Sequence, residues 1–170
     1  MNIIKQITLV LFLLISGFIS AQNDNDFREA FTLKLAVDST TFYQQEVARS
    51  KYIVKDDILQ IYPGEHIFIE AEVKSDRIES MKVVKENKNP SKTIEIEFSQ
   101  NVSGRQNRGM MLHVSNPFDK ILHYNAMMNV VGKKGWFKTS IIPIDPKLTN
   151  FETWPQVIIT LVLSNWRFEK

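Results

Sequence analysis

The chain has 170 residues, no cysteine, and 21 Lys and Arg against 19 Asp and Glu, a formal charge of +2. The missing thiol excludes disulfides, lipid attachment through an N-terminal Cys, and thiol catalysis. A charge this close to balance gives no electrostatic reason to expect nucleic acid as a partner.

Residues 1–21 read as a signal peptide. Lys5 and the amino terminus supply positive charge, Ile7 to Ile19 is almost wholly apolar, and Ser20-Ala21 places small side chains before Gln22. The apolar run falls short of the ~20 residues that a membrane-spanning helix needs, and no later stretch is long and apolar enough to span. Export to the periplasm or beyond the cell is the expectation. Loss of Lys5 with the leader leaves 20 basic against 19 acidic residues. The remainder is sized for one domain.

Residues 22–30 form a polar lead-in, a loose tether before the domain at 31–170. Its Asp24-Asn25-Asp26 lacks the glycine and distal Glu of a calcium loop. From there the apolar period is two. Phe31, Leu33, Leu35 and Val37 alternate with polar or small residues, as do Ile67, Ile69, Ala71 and Val73. Ile94, Ile96 and Phe98 repeat the pattern, and Val157, Ile159, Leu161 and Leu163 close it. Such alternation means strands with one buried and one wet face. Turn clusters separate them at 55–57, 63–65, 87–91, 103–109, 116–119 and 132–135. The spacing predicts an all-β fold of eight or nine strands, a single antiparallel β-sandwich, with a barrel as the alternative.

The stretches "YPGEHIFIEAEV" and "VSNPFDKILHYNAMM" resemble the strand entries of bacterial immunoglobulin-like domains. Over most of its mature length the chain resembles small secreted bacterial proteins with an immunoglobulin-like β-sandwich. The resemblance implies fold and export and brings no activity with it.

Residues 110–128 concentrate Met110, Met111, Met127 and Met128 with His113 and His123. If 116–120 is a five-residue hairpin turn, Met110, Leu112, Val114, Leu122, Tyr124, Ala126, Met128 and Val130 share an apolar face. Met111, His113, His123, Asn125 and Met127 then share the other, with the two imidazoles directly cross-strand. Imidazole and thioether donors suit copper. The competing reading is a Met-built core with a solvated outer face, and that reading is preferred.

Several other residues invite a role. The turn 131–140 sets Lys133 and Lys134 beside Trp136 and Phe137, with Lys138 beyond, a cation–aromatic pattern suited to phosphate, sugar rings or an anionic surface. One of the two aromatics is expected to point inward. Arg105 and Arg108 would extend a basic rim if their loop lies at the same end. Residues 142–155 read as a packed loop over a sheet edge, or alternatively as a partner-binding loop anchored by Trp154. Glu70 with Glu72, and Glu95 with Glu97, sit ~6.5–7 Å apart along their strands, a spacing that overlaps an inverting glycosidase pair. Alternation opposite isoleucines instead fits a wet sheet face. A nucleophile elbow, a zincin helix and a phosphate loop are all missing from the sequence.

Together these features predict an exported, non-catalytic binding module that meets a protein or glycan at the cell envelope and needs no cofactor. A copper-binding protein and a glycan hydrolase are the alternatives.

Overall fold

The computed structural model describes residues 24–75 and 77–169. The expected signal peptide, residues 1–21, lies outside the described residues, as do Gln22 and Asn23. After a 3-10 turn at Asp24–Asp26, the first strands are β1 (Phe27–Arg28), β2 (Phe31–Ala36), β3 (Phe42–Val47), β4 (Ser50–Lys51) and β5 (Ile53–Lys55). Then come β6 (Ile58–Ile61), β7 (Glu65–Lys74), β8 (Arg77–Val84), β9 (Thr93–Ser103) and β10 (Gln106–Ser115). The last are β11 (Leu122–Val130), β12 (Trp136–Thr139), β13 (Thr149–Trp154) and β14 (Ile158–Phe168). The described residues form fourteen strands against the eight or nine expected, and the excess corresponds to β1, β4, β5, β6 and β12, which hold two to four residues each, too few to register as an alternation. Among the described residues no helix is long and apolar enough to cross a membrane.

Two five-stranded antiparallel sheets pack against each other, as in a β-sandwich. The first has the order β13-β10-β9-β7-β8 and the second β12-β11-β14-β6-β5. Alternation does the work here. Ile67, Ile69, Ile94, Ile96, Phe98 and Leu112 from the first sheet meet Leu59, Ile61, Leu122, Leu161 and Leu163 from the second in one core. Full burial of each such side chain is worth ~1.5–3 kcal/mol relative to exposure.

The β2–β3 hairpin adds a second cluster, in which Leu33, Leu35 and Val47 cover Tyr62 and Val157. The Gln100 side chain ties it down. Its Oε1 accepts from the Ala36 amide at 2.9 Å and its Nε2 donates to the Ala36 carbonyl at 2.8 Å. A side-chain amide thus takes the place of a neighbouring strand.

The polar lead-in is not a loose tether from Asp24 onward. β1 pairs with β4, and Arg28 is only 2% exposed. The domain therefore begins before residue 31.

Chain direction fixes the two ends of the sandwich. The 116–121 connection between β10 and β11 defines a lower end. The β9–β10 and β11–β12 turns both lie at the opposite, upper end.

Candidate functional site

The predicted Met/His hairpin does not form. β10 pairs with β9 and β13, while β11 pairs with β12 and β14 in the other sheet. The 116–121 segment is a sheet-to-sheet crossover held by Asn116, whose Nδ2 donates to the carbonyls of Lys120, Ile144 and Asp145 and whose Oδ1 accepts from the Phe118 amide. The faces nevertheless come out as expected. Met110, Leu112, Val114, Leu122, Tyr124, Ala126 and Val130 are all buried. Because both strands turn these side chains to the shared core, Met111 and His113 lie on one outer face of the sandwich and His123 on the other. His113 stands opposite Glu97 and Phe151, His123 opposite Arg167. Among the described residues no group of three or more His, Cys, Asp or Glu is placed to hold a metal ion.

At the upper end, Lys133 and Lys134 are exposed on the β11–β12 turn. Trp136 is 44% exposed and Phe137 36%, so neither aromatic is withdrawn into the core. Phe137 stands opposite Met128 on the inner side, but β12 is the last strand of its sheet and leaves the ring half open. The Lys133 ammonium lies 5.6 Å from the Phe137 ring centroid. Trp136 opposite Asn129 and Lys138 opposite Met127 make an outward patch beside it. Arg105 and Arg108 are exposed at the β9–β10 turn, at this same end.

Trp154 is not an exposed anchor. It is 8% exposed, and its Nε1 donates to Thr139 Oγ1 at 2.9 Å, bonding the first sheet to the second. The segment around it, expected as loop, carries strand β13 along the edge of the first sheet. Its exposed aromatic is Phe151, whose ring stacks on His113 at 5.0 Å.

The paired carboxylates lie on the outer face of the first sheet. Lys92 Nζ reaches Glu72 at 2.6 Å and Glu70 at 3.5 Å, and His66 contacts Glu95 at 2.7 Å. A hydrogen bond from Asn89, with Lys92 nearby, holds the Glu70 carboxyl below its ordinary range. A glycosidase acid needs the opposite shift.

A groove of about 1210 Å³ opens at the lower end, between the start of β8 and the last residues of β14. Arg77, Lys120, His123 and Arg167 are among its lining residues. Beside it β14 carries a bulge: Asn125 faces Ser164 and His123 faces Arg167, so Asn165 and Trp166 together oppose Tyr124. Asn165 takes φ +57°, an uncommon conformation for a side-chain-bearing residue, and its amide is capped by Asp57 Oδ2 at 2.9 Å. The bulge turns Trp166 inward, where it stacks on Tyr124 at 4.7 Å. Trp166 Nε1, Tyr124 Oη and His123 Nε2 are each buried with no hydrogen-bond partner among the described residues. Sequence reading missed this groove, and the available signal was small: Leu161 and Leu163 are in phase, while Trp166 and Phe168 are one residue out.

Comparison with protein-family models, with curated proteins and with solved structures finds no match, so the geometry above carries the functional argument alone.

Proposed function

We propose that the chain is an exported, non-catalytic binding module of immunoglobulin-like architecture that meets a protein or glycan partner at the cell envelope through its β11–β12 hairpin. The observation that carries this reading is the joint exposure of Trp136 and Phe137 beside Lys133, Lys134 and Lys138. Large aromatic rings left in water at a strand edge form the kind of surface that gains most from being covered, and aromatic residues dominate binding energy at interfaces. The copper reading is weakened because His113 and His123 occupy opposite faces. The hydrolase reading is weakened because its carboxylates lie on an outer sheet face, where Lys92 pairs with Glu70 and Glu72 and His66 contacts Glu95.

The test is a comparison of wild type with a Trp136→Ala/Phe137→Ala variant on glycan arrays and in pull-downs from envelope extracts. Because β12 is an edge strand and both rings are partly exposed, the variant should stay folded with a modestly lowered melting temperature while losing the partner. Undiminished binding by the variant, or substrate turnover with blank arrays and pull-downs, would refute the proposal.

A further inference from the structure

The lower groove has one wall made of unpaired strand edge. β14 runs to Phe168, but β6 pairs with it only at Leu161, Val162 and Leu163. On the other side of β14, the Leu122 amide and carbonyl are both spent on Ile144, at 2.9 Å each, and Glu169 donates to the Ile121 carbonyl. Leu122 and Phe168 are therefore a non-hydrogen-bonded antiparallel pair, which directs the Phe168 N–H and C=O away from β11 and toward the open side. The groove's lining runs from Arg77 and Ile78 of β8, past Phe168 at the end of β14, to Ile121 and His123 on the β11 side. Its opposite wall is the beginning of β8, the outermost strand of the first sheet.

Among the described residues the edge is guarded near the bulge, where Asp57 caps the Asn165 amide and Arg167 Nη1 donates to the Asn165 carbonyl at 3.0 Å. Charge is the second observation. Among the described residues the guanidinium groups of Arg77 and Arg167 line the groove along with Asp119 and Glu169, and Asp119 is already paired with Lys147 at 3.1 Å. Ile78, Ile121 and Phe168 supply apolar surface between the cations.

We propose that this groove receives an extended acidic peptide segment, which adds to β14 as a strand. Backbone hydrogen bonds to Phe168 set its register, apolar side chains rest on Ile78 of the facing wall, and the intervening carboxylates face Arg77 and Arg167. Strand addition at a free sheet edge gains affinity from the main chain and specificity from alternate side chains. The site is separate from the upper hairpin and does not depend on it.

The probe is the peptide acetyl-(Val-Glu)4-amide, titrated into ¹⁵N-labelled protein with acetyl-(Val-Lys)4-amide and citrate as controls. The acidic peptide is expected to bind at least ~10-fold more tightly than the basic one and to slow hydrogen exchange of the Phe168 amide. Arg77→Glu, at an exposed hairpin tip, should reduce that affinity at least ~10-fold, and Arg77→Glu/Arg167→Glu should reverse the preference between the peptides. The Trp136→Ala/Phe137→Ala variant should bind the acidic peptide unchanged, which separates this site from the hairpin. Equal affinity for the two peptides, binding without protection of Phe168, or citrate binding in the groove without peptide binding would each overturn the proposal.

Discussion

Arg28 and Glu65 form a two-pronged ion pair beside the β6–β7 turn: Nε lies 2.7 Å from Oε1 and Nη2 lies 3.2 Å from Oε2. The guanidinium also donates to Ser50 Oγ and to the carbonyls of Lys51 and Gln60, and it sits between the rings of Tyr52 and Tyr62. Glu65 in turn accepts the Tyr62 amide at 2.8 Å. One residue thus joins β1, β4, β6 and the start of β7. Removing one member of a buried pair strands the other charge, so Arg28→Met should cost ~3–5 kcal/mol. Adding Glu65→Leu should recover only part of this loss, because the Gln60 and Lys51 carbonyls stay unpaired. Urea denaturation of the single and double variants measures both effects.

Asn116 offers a sharper comparison, because two substitutions at one position make opposite demands. Asn116→Ala deletes donors to three carbonyls and an acceptor for the Phe118 amide, at an expected cost of ~2–4 kcal/mol. Asn116→Asp keeps the shape and the acceptor but turns a carboxylate oxygen toward the Lys120, Ile144 and Asp145 carbonyls. It should destabilise more than alanine does. The opposite ranking in thermal melts would show that Asn116 does not hold the crossover by donation.

These two residues mark the limits of what the sequence disclosed. The two-residue rhythm correctly sorted Met110, Leu112, Val114, Leu122, Tyr124 and Ala126 to the inside, because alternation reports which face is dry. It does not report which strand lies alongside. The five-residue "NPFDK" fits a hairpin turn as well as a crossover, and the choice depends on carbonyls from 144 and 145, far along the chain. Arg28 was hidden for a different reason: a charged residue in a polar stretch looks solvated until the acid that neutralises it is located 37 residues later. The ladder read at Val157 to Leu163 spans an irregularity of register between Asn129 and Val130. Val157 and Ile159 consequently face the cluster under β2–β3, whereas Leu161 and Leu163 face the main core.

Gly109 is required by backbone geometry. It follows a shift of register between β9 and β10, has φ +130°, and a Cβ there would stand 3.1 Å from the Trp154 carbonyl oxygen. Gly109→Ala meets both backbone strain and a close contact with a strand that cannot withdraw without losing its pairing to β10. The expected cost is ~1–3 kcal/mol. Because Trp154 links the sheets through Thr139, the variant should also shift the Trp154 indole N–H signal in an NMR spectrum. An unchanged signal and unchanged stability would contradict this account.

Tyr124 makes the fold alkali-sensitive. Burial, reinforced by the negative charge of Glu152, pushes its phenol well above the ordinary value near 10. In the native state the proton therefore stays bound at a pH where the unfolded chain releases it. The unfolded state binds fewer protons, so stability is full below pH ~10 and falls as pH rises beyond it, by ~1.4 kcal/mol per pH unit for one such group. Tyr52 and Tyr62 are shifted in the same direction, chiefly by burial, and steepen the decline. Tyr124→Phe removes a buried hydroxyl that has no hydrogen-bond partner among the described residues and keeps the ring stacked on Trp166. At neutral pH the variant should be at least as stable as wild type, since a buried hydroxyl without a partner carries a desolvation cost. Between pH 10 and 12 its stability should decline less steeply by up to the slope of one proton. Denaturation curves collected across that range test the assignment, and parallel slopes for the two proteins would move the alkaline sensitivity to other groups.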